Sequence, residues 1–205
     1  MTAAVNDMSI TRNAEFAIDP IFTNRWSPRA FTGEAIDERI LFTLFEAARW
    51  APSANNSQPW RFIYCLKDSP KWPVFLGLLS NTNRRWAANA SVLVVLVSKT
   101  THIRNGDTEP TPLRNHSFDS GAAWALLALQ ALHSGWRTHA MGGFNRDLAR
   151  EVLSVPEGYN VEVAIAIGRQ AEHSSLPPDL QERERPSQRK PLGKFVAEGR
   201  FAFVE

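Results

Sequence analysis

Residues 91–98, SVLVVLVS, place six apolar side chains in a row with no polar alternation. A strand turns successive side chains to opposite faces, so such a run must be covered on both. Val161–Ile167 reads as a second strand of the same buried kind. A chain with two such strands needs helices on either side of a sheet, and its sequence supplies them. Ile36, Ile40, Leu41, Leu44, Phe45 and Ala48 recur at three- and four-residue spacing, which stacks them on one helical face. Asp37 and Glu38 suit the first turn of that helix, and Pro52 ends it. Residues 118–132, rich in alanine and leucine, predict a largely buried helix stopped by Gly135.

The remaining elements are shorter. Residues 61–66 (RFIYCL) and 136–141 read as strands, and 72–79 as a short helix. Asn145 caps an amphipathic helix carrying Leu148, Val152 and Leu153. Residues 99–115, with two prolines, a glycine and many polar groups, read as loop. Residues 171–190, dominated by proline, glutamate, arginine and serine, read as an exposed connector. Beyond it Leu192, Phe195, Val196, Phe201 and Phe203 form an apolar tail that needs a distant surface, which a partner subunit could supply.

At 205 residues the chain can bury a core without disulfide or metal staples. Its 23 basic and 21 acidic side chains leave a net charge of +2, with no basic field for nucleic acid or an anionic membrane. A basic start followed by an apolar core is absent, so a cytoplasmic location is expected. No stretch reaches the roughly 20 apolar residues that span a bilayer.

Familiar catalytic constellations are missing from the sequence. There is no G-x-S-x-G elbow, no phosphate loop and no G-x-G-x-x-G fingerprint. Histidines 102, 116, 133, 139 and 173 never take H-x-x-x-H spacing, so no metal site is expected. The single cysteine, Cys65, sits in an apolar strand as an inert thiol, and His133 suits a helix C-terminus. Chemistry in this chain would fall to a bound organic cofactor.

Four polar clusters remain. Arg25-Trp26-Ser27-Pro28-Arg29 offers two guanidiniums around a hydroxyl, either a phosphate grip or two solvated charges ahead of a helix. Pro52-Ser53-Ala54-Asn55-Asn56-Ser57-Gln58-Pro59-Trp60 offers amides and hydroxyls between two prolines, suited to a heterocycle with donors and acceptors, or an ordinary polar turn. Asn83-Arg84-Arg85-Trp86 carries an amide for a ring edge beside two arginines that are by default solvated. With it goes Gly142-Gly143, where the backbone can approach a flat ligand. The fourth, Ser187-Gln188-Arg189-Lys190-Pro191-Leu192, is a basic knot that alone would read as charged surface.

Taken in order, these clusters resemble the nitroreductase family of flavin mononucleotide (FMN) enzymes, from about Asn24 to Leu192. The resemblance is carried by Arg25-x-Ser27-x-Arg29-x-Phe31 and by Glu46-Ala-Ala-Arg-Trp-Ala-Pro-Ser53 with Asn56-x-Gln58-Pro-Trp60-x-Phe62. Asp119-x-Gly121, Gly142-Gly143-Phe144, Ala164–Gly168 and Arg189-Lys190-Pro191-Leu192 follow in order. It implies an α+β fold with a central, mostly antiparallel sheet flanked by helices, built as an intertwined homodimer with FMN at the interface. Residues 1–20 would then be an arm, 21–192 the FMN-binding domain and 193–205 a tail packing on the partner subunit.

By position, the resemblance implies that Arg25, Trp26 and Ser27 hold the phosphate and ribityl chain and Arg29 the pyrimidine side of the ring. Asn83 would bond the same pyrimidine edge, and Gly142 and Gly143 would bring an N–H near flavin N5. Arg189, with Lys190, would return to the phosphate. Pro52, Ser53, Ala54 and Asn56 would reach the flavin of the other subunit, while Gln58 orders their loop. A lysine that some members place near N1 and O2 stands here as Trp86, leaving Arg29 to supply that charge. The chain is short between Leu132 and Met141, with no extra helix to cover the site.

The activity so implied passes a hydride from NADH or NADPH through flavin N5 to a nitroaromatic, quinone or similar flat acceptor, in a ping-pong cycle with no catalytic side chain. A flavin-dependent dehydrogenase or dehalogenase on the same scaffold, or a non-enzymatic FMN-binding protein, are the alternatives.

Overall fold

The computed structural model describes residues 12–104 and 106–203. Residues 1–11 of the arm lie outside the described residues, as do Asn105, Val204 and Glu205. Four strands, β1 (Trp60–Leu66), β2 (Val92–Lys99), β5 (Arg137–Met141) and β6 (Tyr159–Gly168), form one sheet in the order β1-β2-β6-β5. Every neighbouring pair is antiparallel. The expected α+β architecture is present.

The two-sided apolar pattern of β2 divides as strand geometry requires. Leu93, Val95 and Val97 join Ala164 and Ala166 of β6 in one core cluster. Val92, Val94 and Leu96 join Ile165 and Ile167 in the other. The first face is covered by α3 (Trp72–Leu78), α4 (Asn81–Ala87) and α6 (Arg146–Val152), through Phe75, Leu78, Trp86 and Ala149. The second is covered by α2 (Glu38–Arg49) and α5 (His116–His133), through Leu41, Leu44, Ala48, Ala123, Leu127 and Ala131. Asp37 caps α2 by accepting from the Arg39 N–H at 2.7 Å. Asn145 caps α6 in the same way, through the Leu148 N–H at 3.0 Å.

The pairing of β2 with β6 shifts by one residue. Leu96 faces Val163, but Val97 faces Val161. The extra residue is Glu162, and a bulge of this kind re-aims a side chain out of the alternation. Its carboxylate accepts from Ser98 Oγ at 2.5 Å and Ser117 Oγ at 2.7 Å, tying the bulge to the first turn of α5. Residues 99–115 are not all loop. A two-residue hairpin, β3 (Thr101–His102) with β4 (Thr111–Pro112), stands inside them. Cys65 is buried, and desolvation raises its pKa above that of an ordinary thiol, in keeping with an inert side chain. Among the described residues, no helix is long and apolar enough to cross a membrane.

The segment 171–190 departs furthest from its polar composition. A single turn at 173–175 and α7 (Pro178–Gln181) fold it onto the first face, where Leu176 and Leu180 are buried in the core. Arg85 of α4 binds Asp179 with two hydrogen bonds at 2.7 and 2.8 Å, and Arg84 donates to the carbonyls of Leu76, Gly77 and Leu79 at the end of α3. Both arginines are exposed, as the sequence predicts, and each also has protein partners. Trp86 is core, 1% exposed, between Phe31 and the His139 ring, whose centroid lies 4.6 Å away.

Two expectations follow from this packing. Leu180→Ala should cost about 2–5 kcal/mol in urea unfolding, the range for a buried leucine; a loss under about 0.5 kcal/mol would mean a solvated connector. His139 titrates at about 4, because burial disfavours its charge and Arg29 and Arg25 add to that, while hydrogen bonds to the Pro28 and Ser27 backbone oppose it. The unfolded chain, with an ordinary histidine near 6.5, then binds the proton more readily. Stability present above that value falls as pH drops from about 6.5 to about 4. Between pH 7 and pH 5 the wild type should lose about 2 kcal/mol more than His139→Gln. Parallel acid limbs in the two proteins would contradict the assignment.

Candidate functional site

The Arg25 cluster sits just after a short helix whose start is written in the sequence. Asp19 caps α1 (Pro20–Asn24) by accepting from the Ile21 N–H at 2.8 Å, and Pro20 takes the first helical position. Arg25 closes the helix, its N–H donating to the Ile21 carbonyl at 3.1 Å. Its guanidinium donates to Ser27 Oγ at 3.3 Å. His139 Nδ1 lies 2.9 Å from the Pro28 carbonyl, which holds the Ser27–Pro28 turn against β5. Trp26 and Ser27 are both half-buried beside it.

Arg29 is turned towards the connector. Its backbone N–H reaches both carboxylate oxygens of Glu184, at 2.8 and 2.9 Å, and the Ala30 N–H reaches one at 2.8 Å. The Arg29 guanidinium lies 4.0 Å from the same carboxylate and donates to the Arg183 carbonyl at 3.3 Å. The side chain of Glu184 is only 2% exposed. A carboxylate so enclosed is costly unless donors surround it, and here backbone N–H groups do. Glu184 thereby fixes the path of the chain into 187–190.

That path returns Arg189 to Arg25. The Arg25 guanidinium has its pKa lowered, first by burial and then by the charge of Arg189. Arg12, on the arm, is lowered by burial, by Arg189 and by Arg25, in that order. Three guanidiniums therefore repel one another in a partly dry setting, with the Glu15 carboxylate lining the same space as Arg12 and Arg189. Arg189 donates to Ser187 Oγ at 3.0 Å, and Lys190 is exposed next to it. A cavity of about 440 Å³ opens here, walled by Arg12, Phe16, Phe22, Ser187, Arg189 and Leu192 among others. Glu15 accepts from the Leu192 N–H at 2.8 Å, lacing the arm to the C-terminal segment.

Asn83 and the glycine pair also meet. Asn83 Nδ2 and the Ser80 N–H both donate to the Gly143 carbonyl at 3.0 Å. A Cβ on Gly143 would fall 2.8 Å from Asn83 Nδ2, so a larger residue there would displace the Asn83 amide from the Gly143 carbonyl. Where Gly142 would carry a Cβ there is open space, leaving its backbone accessible to a ligand.

The loop after α2 is anchored on α5. Buried Asp119 of α5 accepts from the Ala54 N–H at 3.0 Å. Ser53 Oγ accepts from the Gln58 N–H at 3.0 Å, and Gln58 Nε2 donates to Asn56 twice at 3.1 Å. Gln58 orders the loop, as expected. Asn55, Asn56 and Gln58 have φ of 53°, 52° and 46°, a left-handed conformation that costs non-glycine residues energy. Pro52 and Asn56 are exposed, while Ser53 and Ala54 are half-buried. The loop is tied to α5, the helix on which α1 also packs.

Two residues of this arrangement escape a sequence reading. Arg12 lies in a weakly patterned arm, and Glu184 is one of several alternating acids and bases in 182–185. Neither position carries a periodicity or motif that marks it.

Comparison with known proteins bears on the family and the fold. The model of the Nitroreductase family matches residues 22–71 and 66–169. A solved structure described as an oxidoreductase containing FMN is 47% identical, covers the whole of both chains and superposes with a TM-score of 0.91. The nitroreductase family protein of Streptococcus pneumoniae is 21% identical over 87% of this chain and 98% of its own, with a TM-score of 0.69. A Streptomyces coelicolor protein provisionally named NADH dehydrogenase/NAD(P)H nitroreductase SCO7141 is 36% identical over 76 residues, spanning 37% of each chain. With a family match over most of its length and a full-length relative at 47% identity, this chain belongs to the nitroreductase family.

Proposed function

We propose that this protein is an FMN-dependent oxidoreductase that takes a hydride from NADH or NADPH and delivers it to a nitroaromatic, quinone or similar flat acceptor in alternating half-reactions. The observation that carries the proposal is the convergence of Arg25 and Arg189, from opposite ends of the chain, in a partly buried setting where the charge of Arg189 acts on Arg25. Two guanidiniums held together against their own repulsion match a phosphate monoester, whose oxygens they bind with charge-assisted, paired hydrogen bonds. The FMN named for the 47%-identical relative carries such a group.

FMN, when bound, supplies the hydride chemistry at its ring. The chain's part is to hold and orient it. Arg25, Ser27 and Arg189, with Trp26 and Lys190 alongside, would seat the phosphate and ribityl chain. Asn83 and the Gly142-Gly143 backbone would border the ring, and Arg29 would supply positive charge on the pyrimidine side. Positive charge there favours the ring's reduced, anionic form. No side chain need act as acid or base, since stacking and orientation can supply the rate.

A homodimer belongs to this reading, with residues 21–192 as the FMN-binding domain. Phe195, Val196 and Phe201 of the tail are 57%, 62% and 84% exposed, and Phe118 on α5 is 78% exposed. A tail of that character is stabilised by burial on a partner subunit. The same pairing would carry Pro52, Ser53, Ala54 and Asn56 to the flavin of the other subunit. The NAD(P)H in the name of the Streptomyces coelicolor relative supports the choice of donor.

Purified protein should be yellow, or become so with added FMN. Its flavin absorbance should bleach with anaerobic NADH or NADPH and return with a nitroaromatic or quinone. Arg25→Ala and Arg189→Ala should each weaken FMN binding about ten- to a hundredfold, the size of a lost charged hydrogen bond. A colourless preparation that takes up no FMN would overturn the reading, and flavin that binds without bleaching would mark a carrier in place of an enzyme.

A further inference from the structure

We propose that Arg12 is a third phosphate-binding guanidinium of the FMN site, which makes the N-terminal arm part of the cofactor cradle. This rests on the FMN reading above. Arg12 is not a loose surface charge. Its Nη1 donates to the Thr23 carbonyl at 3.1 Å and the Arg25 carbonyl at 2.7 Å, which fixes the plane of the guanidinium at the end of α1. Its Nε is sealed from solvent and has no hydrogen-bond partner. With Nε enclosed and Nη1 committed, a bound anion would meet the guanidinium through Nη2.

Capping the end of α1 explains Nη1 and nothing more. Two carbonyls could be satisfied by a neutral amide, without bringing a third positive charge up to Arg25 and Arg189. The arrangement becomes favourable once a dianion occupies the space that Arg12 and Arg189 line, next to Arg25, whose carbonyl Arg12 holds. A phosphate monoester carries nearly two negative charges at neutral pH and three acceptor oxygens, enough to engage three donors at once. The arm is positioned for this role by its own anchors. Glu15 is bonded to the Leu192 N–H, and Arg12 and Arg189 wall the same cavity. Arg12 thus discriminates FMN from flavins that lack the phosphate.

The test titrates flavin-free protein with FMN and with riboflavin, following the quenching of flavin fluorescence, for wild type, Arg12→Gln and Arg12→Lys. Arg12→Gln keeps a donor for the two carbonyls and removes the charge. It should weaken FMN binding about tenfold or more and leave riboflavin affinity within about twofold. Arg12→Lys should recover part of the FMN affinity. Inorganic phosphate should raise the thermal midpoint of the flavin-free wild type more than that of Arg12→Gln. Unchanged FMN affinity in Arg12→Gln would overturn the proposal, and so would a parallel loss for both flavins, the signature of a purely structural cap. Wild-type protein that binds neither flavin would instead overturn the FMN reading, and this inference with it.

Discussion

The carboxylate of Glu184 accepts three hydrogen bonds from the backbone of Arg29 and Ala30, and its side chain is 2% exposed. Two stretches more than 150 residues apart in the chain are joined there. Bonds from backbone N–H groups to an ionised acceptor are stronger than neutral ones, and exclusion of water strengthens them further. The alternative for such a carboxylate is burial without partners, which is expensive enough to keep the contact closed. From that anchor the surrounding segment takes its course. Leu176 and Leu180 bury on the first face of the sheet, Asp179 meets Arg85, and the chain emerges at 187–190 beside Arg25.

The sheet gives this anchor something rigid to close on. Both faces of β2 are packed, so the strands and the helices over them cannot shift singly without opening cavities. The site residues hang from the ends of these elements. Arg25 follows α1, Asn83 lies in α4, Gly142 follows β5, and the strained 54–58 loop links α2 to β1. The loop keeps three left-handed residues because Asp119, Ser53 and Gln58 over-determine it with hydrogen bonds. Strain held in this way places backbone and amide groups where an unstrained turn would not.

What the sequence reveals, and what it hides, divides along the same line. Apolar runs identify β2 and β6 because two-sided burial keeps polar residues to the strand ends and, in β6, to the bulge at Glu162. The 3.6-residue period identifies α2 for the complementary reason. Helix α4 hides because it is only seven residues long and begins Asn81-Thr-Asn-Arg-Arg, while its buried side, Trp86 and Ala87, is too short to show a period. The connector hides because Leu176 and Leu180 are two apolar residues in a polar stretch, and their burial depends on Glu184, which nothing local separates from Glu182. The functional clusters are legible as motifs once a family resemblance orders them. That Arg25 and Arg189 meet is a tertiary fact with no signature in spacing, and Arg12 has neither motif nor period.

The electrostatics of the three arginines link the two ends of the chain. Each guanidinium raises the cost of placing the next, so without an anion the arm and the 187–190 segment are held against repulsion by hydrogen bonds such as Glu15 to Leu192. An anion that binds only the assembled cluster stabilises the folded chain by mass action and reverses the sign of the local electrostatics. On the proposed function, docking of the arm, docking of the connector and occupancy by a phosphate would be one coupled equilibrium. In that equilibrium the neutral His139 has a physical rationale. Burial and the charges of Arg29 and Arg25 keep its proton off, so the ring can stack on Trp86 and hold the Ser27–Pro28 turn without adding a fourth cation to the group.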